Sequence, residues 1–237
     1  MAAPAVRPLW ADDIAPIARP ALVDRTDADV AIVGAGFTGL WTAYYLLLSD
    51  PTLRVVLVDA RAVGDGASGR NGGVITAKFR VTFPEIAAAH GKDVAVRMYG
   101  LANEAVDCVG EMVDRFGITS AGYKRVGQVK AAHNHEALLH TVEEAEWIRR
   151  ELGDSSIRVL DKRQVREETG SECFVGGVQS DAAGGIHPLN YLRGLAEGVA
   201  SAGVRIQSGT PALRIRRDEG GVVVETPGGS VRAKQVV

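Results

Sequence analysis

The residues of this chain best suited by type and spacing to do chemistry are Gly34-Ala35-Gly36-Phe37-Thr38-Gly39 and, twenty residues on, Asp59. A Gly-x-Gly-x-x-Gly run with a distant acid is a means of holding a dinucleotide. Gly34 permits a tight turn, and Gly36 lets a pyrophosphate approach the backbone. Gly39 lets a following helix lie close to a sheet, and Ala43 keeps that face small one turn later. The free N–H groups and positive dipole end of such a helix, reached through Phe37 and Thr38, suit phosphate oxygens. Asp59 stands where a carboxylate accepts hydrogen bonds from an adenosine ribose. NAD and FAD both fit this set.

Those residues work only if the chain around them folds as strand, turn, helix and strand. Val30 to Val33 is a short β-branched run, as a buried parallel strand requires. Leu40 to Leu48 continues as a helix, and Arg54 to Asp59 reads as a second strand. A glycine pattern alone is weak; this context makes it specific.

The rest of the composition is ordinary for a globular protein: 46% hydrophobic and 24% charged over 237 residues. That length allows one large domain or two small ones. A formal net charge of −2 gives no electrostatic case for nucleic acid. No stretch is long and apolar enough to suggest a membrane span. The two cysteines, Cys108 and Cys173, have no metal or redox spacing, and isolated thiols fit a reducing, cytoplasmic setting. The first ten residues lack the apolar core of a signal peptide.

Pro4, Pro8, Pro16 and Pro20 break residues 1–28 into an arm that Trp10 and Ile14 can pin to the body. From Gly64 to Gly73, five of ten residues are glycine. Such a loop lets backbone N–H groups close on a ligand, with Ser68 and Asn71 as donors and Arg70 as a cation. No Gly-Lys-Ser/Thr follows, so it is not a Walker loop. A flexible connection with Asn71-Gly72 as a hairpin turn is an equally simple reading.

The segment Val63-Gly-Asp-Gly-Ala-Ser-Gly-Arg-Asn-Gly-Gly73, just beyond a Gly-x-Gly-x-x-Gly unit, resembles the D-amino-acid oxidase and glycine oxidase family of FAD-dependent oxidoreductases. Its phrasing is most similar to the γ-glutamylputrescine oxidase branch. The resemblance implies FAD rather than NAD. It also implies an α/β fold: a Rossmann-like FAD-binding domain of the glutathione-reductase type 2 flavoprotein class, with an inserted, incomplete α+β substrate domain. Many members have Glu where this chain has Asp59; the shorter acid still reaches a ribose.

Cofactor residues carried over are Gly34, Gly36, Phe37, Thr38 and Gly39 at the phosphates, Asp59 on ribose, and Ala60 and Arg61 nearby. Ser68, Gly69, Arg70, Asn71, Gly72 and Gly73 follow along pyrophosphate and flavin, with Ala212 at adenine through its backbone. The expected division is an arm at 1–28, FAD-binding parts at 29–83 and 189–237, and an insert at 84–188. Family members continue well past residue 237, so this chain is expected to be a truncated or partial product. The implied reaction is oxidation of a C–N bond in a small amine or amino acid. Hydride passes to flavin, the imine is hydrolysed, and dioxygen or another acceptor reoxidises the flavin. A truncated, inactive FAD-binding fragment and an NAD(P)-dependent dehydrogenase are the competing readings.

No side chain stands out as catalytic. Cys108 falls on the apolar stripe of a helix expected over Lys92 to Phe116, with Gly117 as its stop, and reads as a packed thiol. His133, His135 and His140 lack metal-ligand spacing, so no metal site is expected. His187 precedes Pro188 in a turn, where a structural role is the simpler one. Further expectations are a strand over Tyr123 to Ala132, a helix through Leu138 to Leu152, and a strand then helical turn from 157 to 169. A helix from Leu189 and a β-ribbon over Gly220 to Ala233 follow, and the resemblance implies a strand pair of the FAD-binding domain over Gly203 to Ile215.

Overall fold

The sheet that carries the glycine turn is built from one buried parallel pair. In a computed structural model that describes residues 8–12, 14, 17 and 19–237, β1 (Arg25–Val33) runs parallel to β2 (Val55–Val58). All four β2 side chains are buried, which is why Val55-Val-Leu-Val58 reads as an unbroken apolar run. β8 (Arg205–Gln207) adds beside β2, and β11 (Ser230–Val236) runs parallel to β1 on its other side. β10 (Gly221–Glu225) and β9 (Arg214–Asp218) then pair antiparallel, completing the order β8-β2-β1-β11-β10-β9.

Two helices cover one face. α1 (Phe37–Ser49) ends at Asp50, where Pro51 cannot continue it. α6 (Pro188–Ser201) buries Leu192, Leu195 and Val199 against Ile32, Leu40, Val55 and Leu57. Each such side chain, fully buried, contributes about 1.5–3 kcal/mol over its exposed state. The opposite face packs Leu22, Ala31, Val56, Val58, Val224 and Val231. These elements belong to a first compact unit: the described residues of Met1–Gly72, with Met112–Ala121 and His187–Val237.

The second unit is Gly73–Glu111 with Gly122–Ile186. Its three-stranded antiparallel sheet has the order β4 (Gln128–Ala132), β6 (Gly176–Ser180), β5 (Ile157–Leu160). A two-stranded piece pairs β3 (Val74–Ile75) with β7 (Gly184–Gly185). α2 (Phe83–His90) begins at a capping box in which Thr82 and Glu85 satisfy each other's backbone N–H groups. α3 (Lys92–Arg115) forms over the expected residues, but its buried face is displaced from the expected stripe Val94, Met98, Leu101, Ala105, Cys108, Met112 and Phe116: Leu101 and Ala105 are exposed. Ala95 and Ala102 are the residues buried beside Phe83, Ile86, Ala145, Ile148 and Ile157. α4 (His135–Trp147) closes with a wide turn, Ile148–Leu152, that stops at left-handed Gly153. α5 (Lys162–Thr169) starts at an Asp161–Gln164 capping box and ends at Gly170.

Several boundaries differ from the sequence reading. β1 begins at Arg25 rather than near Asp29, because β11 supplies partners from Ser230 onward for residues 25–28. The arm is shorter for that reason. The units divide at Gly73 where the sequence placed the boundary after 83, and residues 112–121 group with the first unit. In the arm, Pro8 and Pro20 are described, and Pro4 and Pro16 lie outside the described residues. The strand expected from Tyr123 covers only Gln128–Ala132, with Lys124 making an isolated bridge to Gly185.

Asp29 ties the base of the first sheet together. Its carboxylate accepts from the Arg54 backbone N–H at 2.9 Å, lies 3.2 Å from the Arg54 guanidinium, and pairs with Lys234 Nζ at 2.9 Å. The Arg54 hydrogen bonds, then Lys234, hold its carboxyl far below the usual carboxylate range. A depressed folded value means stability that is fully present above the unfolded carboxylate pKa, about 3.9, and lost as pH falls below it. Asp29→Asn is therefore expected to lower the urea midpoint at neutral pH and to shrink the loss between about pH 4 and pH 2. Equal acid sensitivity in both proteins would contradict this role.

Candidate functional site: paired glycine turns

The first glycine turn sits at the carboxyl end of β1. Gly34 adopts φ 111°, a left-handed conformation that favours glycine, and its N–H donates to Val58 O at 2.8 Å. Gly36 caps α1 in an extended conformation. A Cβ on Gly39 would lie 2.0 Å from Gly34 O, so the first turn of α1 can press on the strand end only without one. The N–H groups of Gly36, Thr38 and Gly39 have no protein acceptor among the described residues. No acidic residue occupies the first turn. Open donors, a positive helix end and no nearby repelling side chain on that turn make a cradle that suits a phosphate.

Asp59 faces this turn. One carboxylate oxygen accepts from Ala35 N–H at 2.7 Å and the other from Arg61 N–H at 2.9 Å. Each oxygen keeps a further lone pair, so the oriented group can still accept from a sugar hydroxyl. Thr210 N–H donates to Asp59 O at 2.8 Å, which brings the loop before Ala212 alongside. Ala212 itself packs against the sheet's second core cluster. Ala60 and Arg61 follow Asp59 as exposed residues.

The segment after Arg61 repeats the same device. Gly64-Asp65-Gly66-Ala67-Ser68-Gly69 is itself Gly-x-Gly-x-x-Gly. Gly64 has φ 100°, Gly66 caps a short 3-10 turn in extended conformation, and a Cβ on Gly69 would lie 2.0 Å from Gly64 O. The two turns meet: Ser68 Oγ accepts from Phe37 N–H at 3.0 Å. The sequence reading saw a glycine-rich loop here and missed the repeat, although the spacing was present.

Arg70 Nε donates to Asp65 O at 2.8 Å and Asn71 Nδ2 to Ser68 O at 2.9 Å, so both brace the loop. The Trp10 indole donates to Asn71 O at 2.7 Å and its ring lies 4.7 Å from that of His187. Trp10 thus pins the arm as expected. Gly72 closes the first unit. Gly73 falls in the second, where its carbonyl accepts from Ile186 N–H, and so is not grouped with the other candidate residues. His187 caps α6, its Nδ1 accepting from Asn190 N–H at 3.2 Å, a structural use. Cys108 is half-buried and Cys173 exposed. Among the described residues no cluster has the make-up of a metal site, and no helix is long and apolar enough to cross a membrane.

Ser68→Ala removes the acceptor for Phe37 N–H. By analogy with lost helix caps, the flavin-free protein is expected to lose about 1 kcal/mol, read from urea unfolding. An unchanged midpoint would separate Ser68 from the stability of α1.

The family model for FAD-dependent oxidoreductases matches residues 29–237. The chain belongs to that family. The family's cofactor decides the dinucleotide in favour of FAD over NAD. Among curated relatives, the chain is 30% identical over 218 residues to a probable oxidoreductase, OrdL, of Haemophilus influenzae, covering 92% of this chain and 50% of that protein. It is 30% identical to the γ-glutamylputrescine oxidoreductase of Escherichia coli, covering 91% of this chain and 49% of that one. Glycine oxidase from Geobacillus kaustophilus superposes with a TM-score of 0.74 at 25% identity, over 89% of this chain and 54% of that one. L-amino acid deaminase from Proteus myxofaciens shares the fold, with a TM-score of 0.73 at 20% identity, over 94% of this chain and 47% of that one. The chain spans about half the length of the curated relatives it matches.

Proposed function

We propose that this chain provides the FAD-binding part of an oxidoreductase that oxidises a C–N bond of a small amine or amino acid. The observation that carries the reading is the cradle itself: open N–H groups at Gly36, Thr38 and Gly39 with Asp59 fixed against the same turn. In this reading those N–H groups bind the pyrophosphate, and Asp59 accepts from the adenosine ribose. The Ser68 to Gly72 segment closes along the cofactor, Gly73 continues it, and the Ala212 backbone lies at adenine. Bound FAD supplies an acceptor for hydride from the carbon bearing nitrogen. The chain's residues bind and orient; water then hydrolyses the imine, and dioxygen or another acceptor completes the cycle. The relatives named for γ-glutamylputrescine and glycine support an amine or amino-acid substrate.

The test is retention of added FAD through gel filtration, followed by anaerobic mixing with a panel of amines and amino acids. Retained flavin that one of them bleaches is the expected result. Retention of NAD(H) and not FAD would overturn it. The second reading is a chain that holds FAD and turns nothing over. Retained flavin that no substrate bleaches would select it.

A further inference from the structure

The second unit contains a cavity of about 220 Å³ that none of the glycine-turn chemistry uses. Every residue lining it belongs to that unit. One part of the wall is apolar, formed by Phe83, Ile148, Ile157 and Val178. Gln128 and Ser180, cross-strand neighbours on β4 and β6, add two polar side chains with no hydrogen-bond partner in the protein among the described residues. Charge enters through Lys78, Lys130 and Glu144. Lys130 Nζ lies 3.4 Å from Glu144, which neutralises that pair. Lys78 has no carboxylate within ion-pair distance among the described residues.

Thr76 adds a hydroxyl, and three further polar groups of the lining are already engaged. The Tyr99 hydroxyl donates to Asp154, Asn103 Nδ2 to Tyr99 O, and Thr141 Oγ1 to Ala137 O. What remains for a ligand is one unpaired ammonium, an amide, two hydroxyls and an apolar wall. Two cations against one carboxylate leave the lining net positive. Lys78 is exposed and hydrated, so a neutral ligand gains no charge-assisted bond from it and an amine is repelled. A carboxylate accepts from both ammonium and neutral donors, and its charge-assisted bonds are the stronger kind. A cavity of about 220 Å³, below the usual range for ligand pockets of about 300–1,000 Å³, fits a short chain.

We propose that this cavity is a binding site for a small aliphatic monocarboxylate. Its head meets Lys78, Gln128 and Ser180, and its tail lies against Ile148, Ile157 and Val178. The site needs no flavin, so its test is separate from the flavin-retention test.

Calorimetric titration of the 237-residue protein with hexanoate, hexanol and hexylamine examines it. Hexanoate is expected to bind at one site at least ~10-fold more tightly than the alcohol or the amine, since the charged head alone meets Lys78. Lys78→Gln should weaken hexanoate about tenfold and leave hexanol unchanged. Val178→Trp should abolish binding of all three by filling the cavity. Lys78 is exposed, so its variant decides the matter if Val178→Trp fails to fold. No binding of hexanoate, hexylamine binding as tightly as hexanoate, or indifference to Lys78→Gln would each overturn the proposal.

Discussion

Gly39→Ala is expected to abolish FAD binding at micromolar cofactor, while Gly100→Ala leaves it unchanged. The added methyl at 39 would sit 2.0 Å from Gly34 O and 3.2 Å from Ile32 Cγ2. The nearest atom is backbone, in a turn held by its own hydrogen bond to Val58, and cannot rotate away. The start of α1 must therefore move outward until that 2.0 Å separation reaches at least 3.4 Å, an ordinary contact. Overpacking of this kind costs about 1–3 kcal/mol of stability. The larger effect falls on binding, because the displaced N–H groups are the ones proposed to hold the pyrophosphate. A loss of at least ~100-fold in affinity corresponds to about 2.7 kcal/mol, the worth of one or two charge-assisted bonds. Gly100 lies inside α3 with nothing within 4 Å of its would-be Cβ. There, alanine should raise stability by up to about 1 kcal/mol. Flavin titration and urea unfolding of both variants check the pair, and wild-type affinity in Gly39→Ala would contradict the cradle.

Asp59→Ala is the second large effect. The carboxylate already holds Ala35 and Arg61 N–H groups, so its loss loosens the turn as well as removing the proposed ribose acceptor. Two hydrogen bonds to a charged group, at about 1.5–3 kcal/mol each, set the scale at ~100-fold or more weaker FAD binding. Asp59→Asn retains one acceptor oxygen and should fall between. Riboflavin, which lacks the adenosine ribose, should show no dependence on the substitution. If FAD affinity is unchanged in Asp59→Ala, the acid does not touch the sugar.

The central unit was legible because each of its parts obeys a local rule. Val30 to Val33 is apolar and β-branched, the glycines stand at the turn, and Pro51 ends the helix. α3 was readable as a helix from its three- and four-residue apolar spacing, although the face it buries is shifted from that stripe. α5 was readable only as a helical turn within residues 157–169, and the Asp161–Gln164 capping box that starts it was missed. β9 could not be read from its residues, all five of which are exposed, so no alternation marks it; only the resemblance implied a strand pair, ending at Ile215, and pairing with β10 sets the observed bounds. α2 was also missed, although Thr82 and Glu85 signalled its start. The early start of β1 depends on β11, more than two hundred residues away in sequence, and no local pattern carries that. In the site, the glycine positions were visible, but the contact of Ser68 with Phe37 was not, since it joins two turns through space.

The most direct measurement is an amide ¹H–¹⁵N correlation spectrum of the flavin-free protein titrated with ADP, which carries the ribose and diphosphate of the adenosine half of FAD. The account predicts that the Gly36, Phe37, Thr38 and Gly39 amides shift together, with Ala35 and Arg61 responding through Asp59. ADP binding that leaves those amides unmoved while another surface shifts would contradict it.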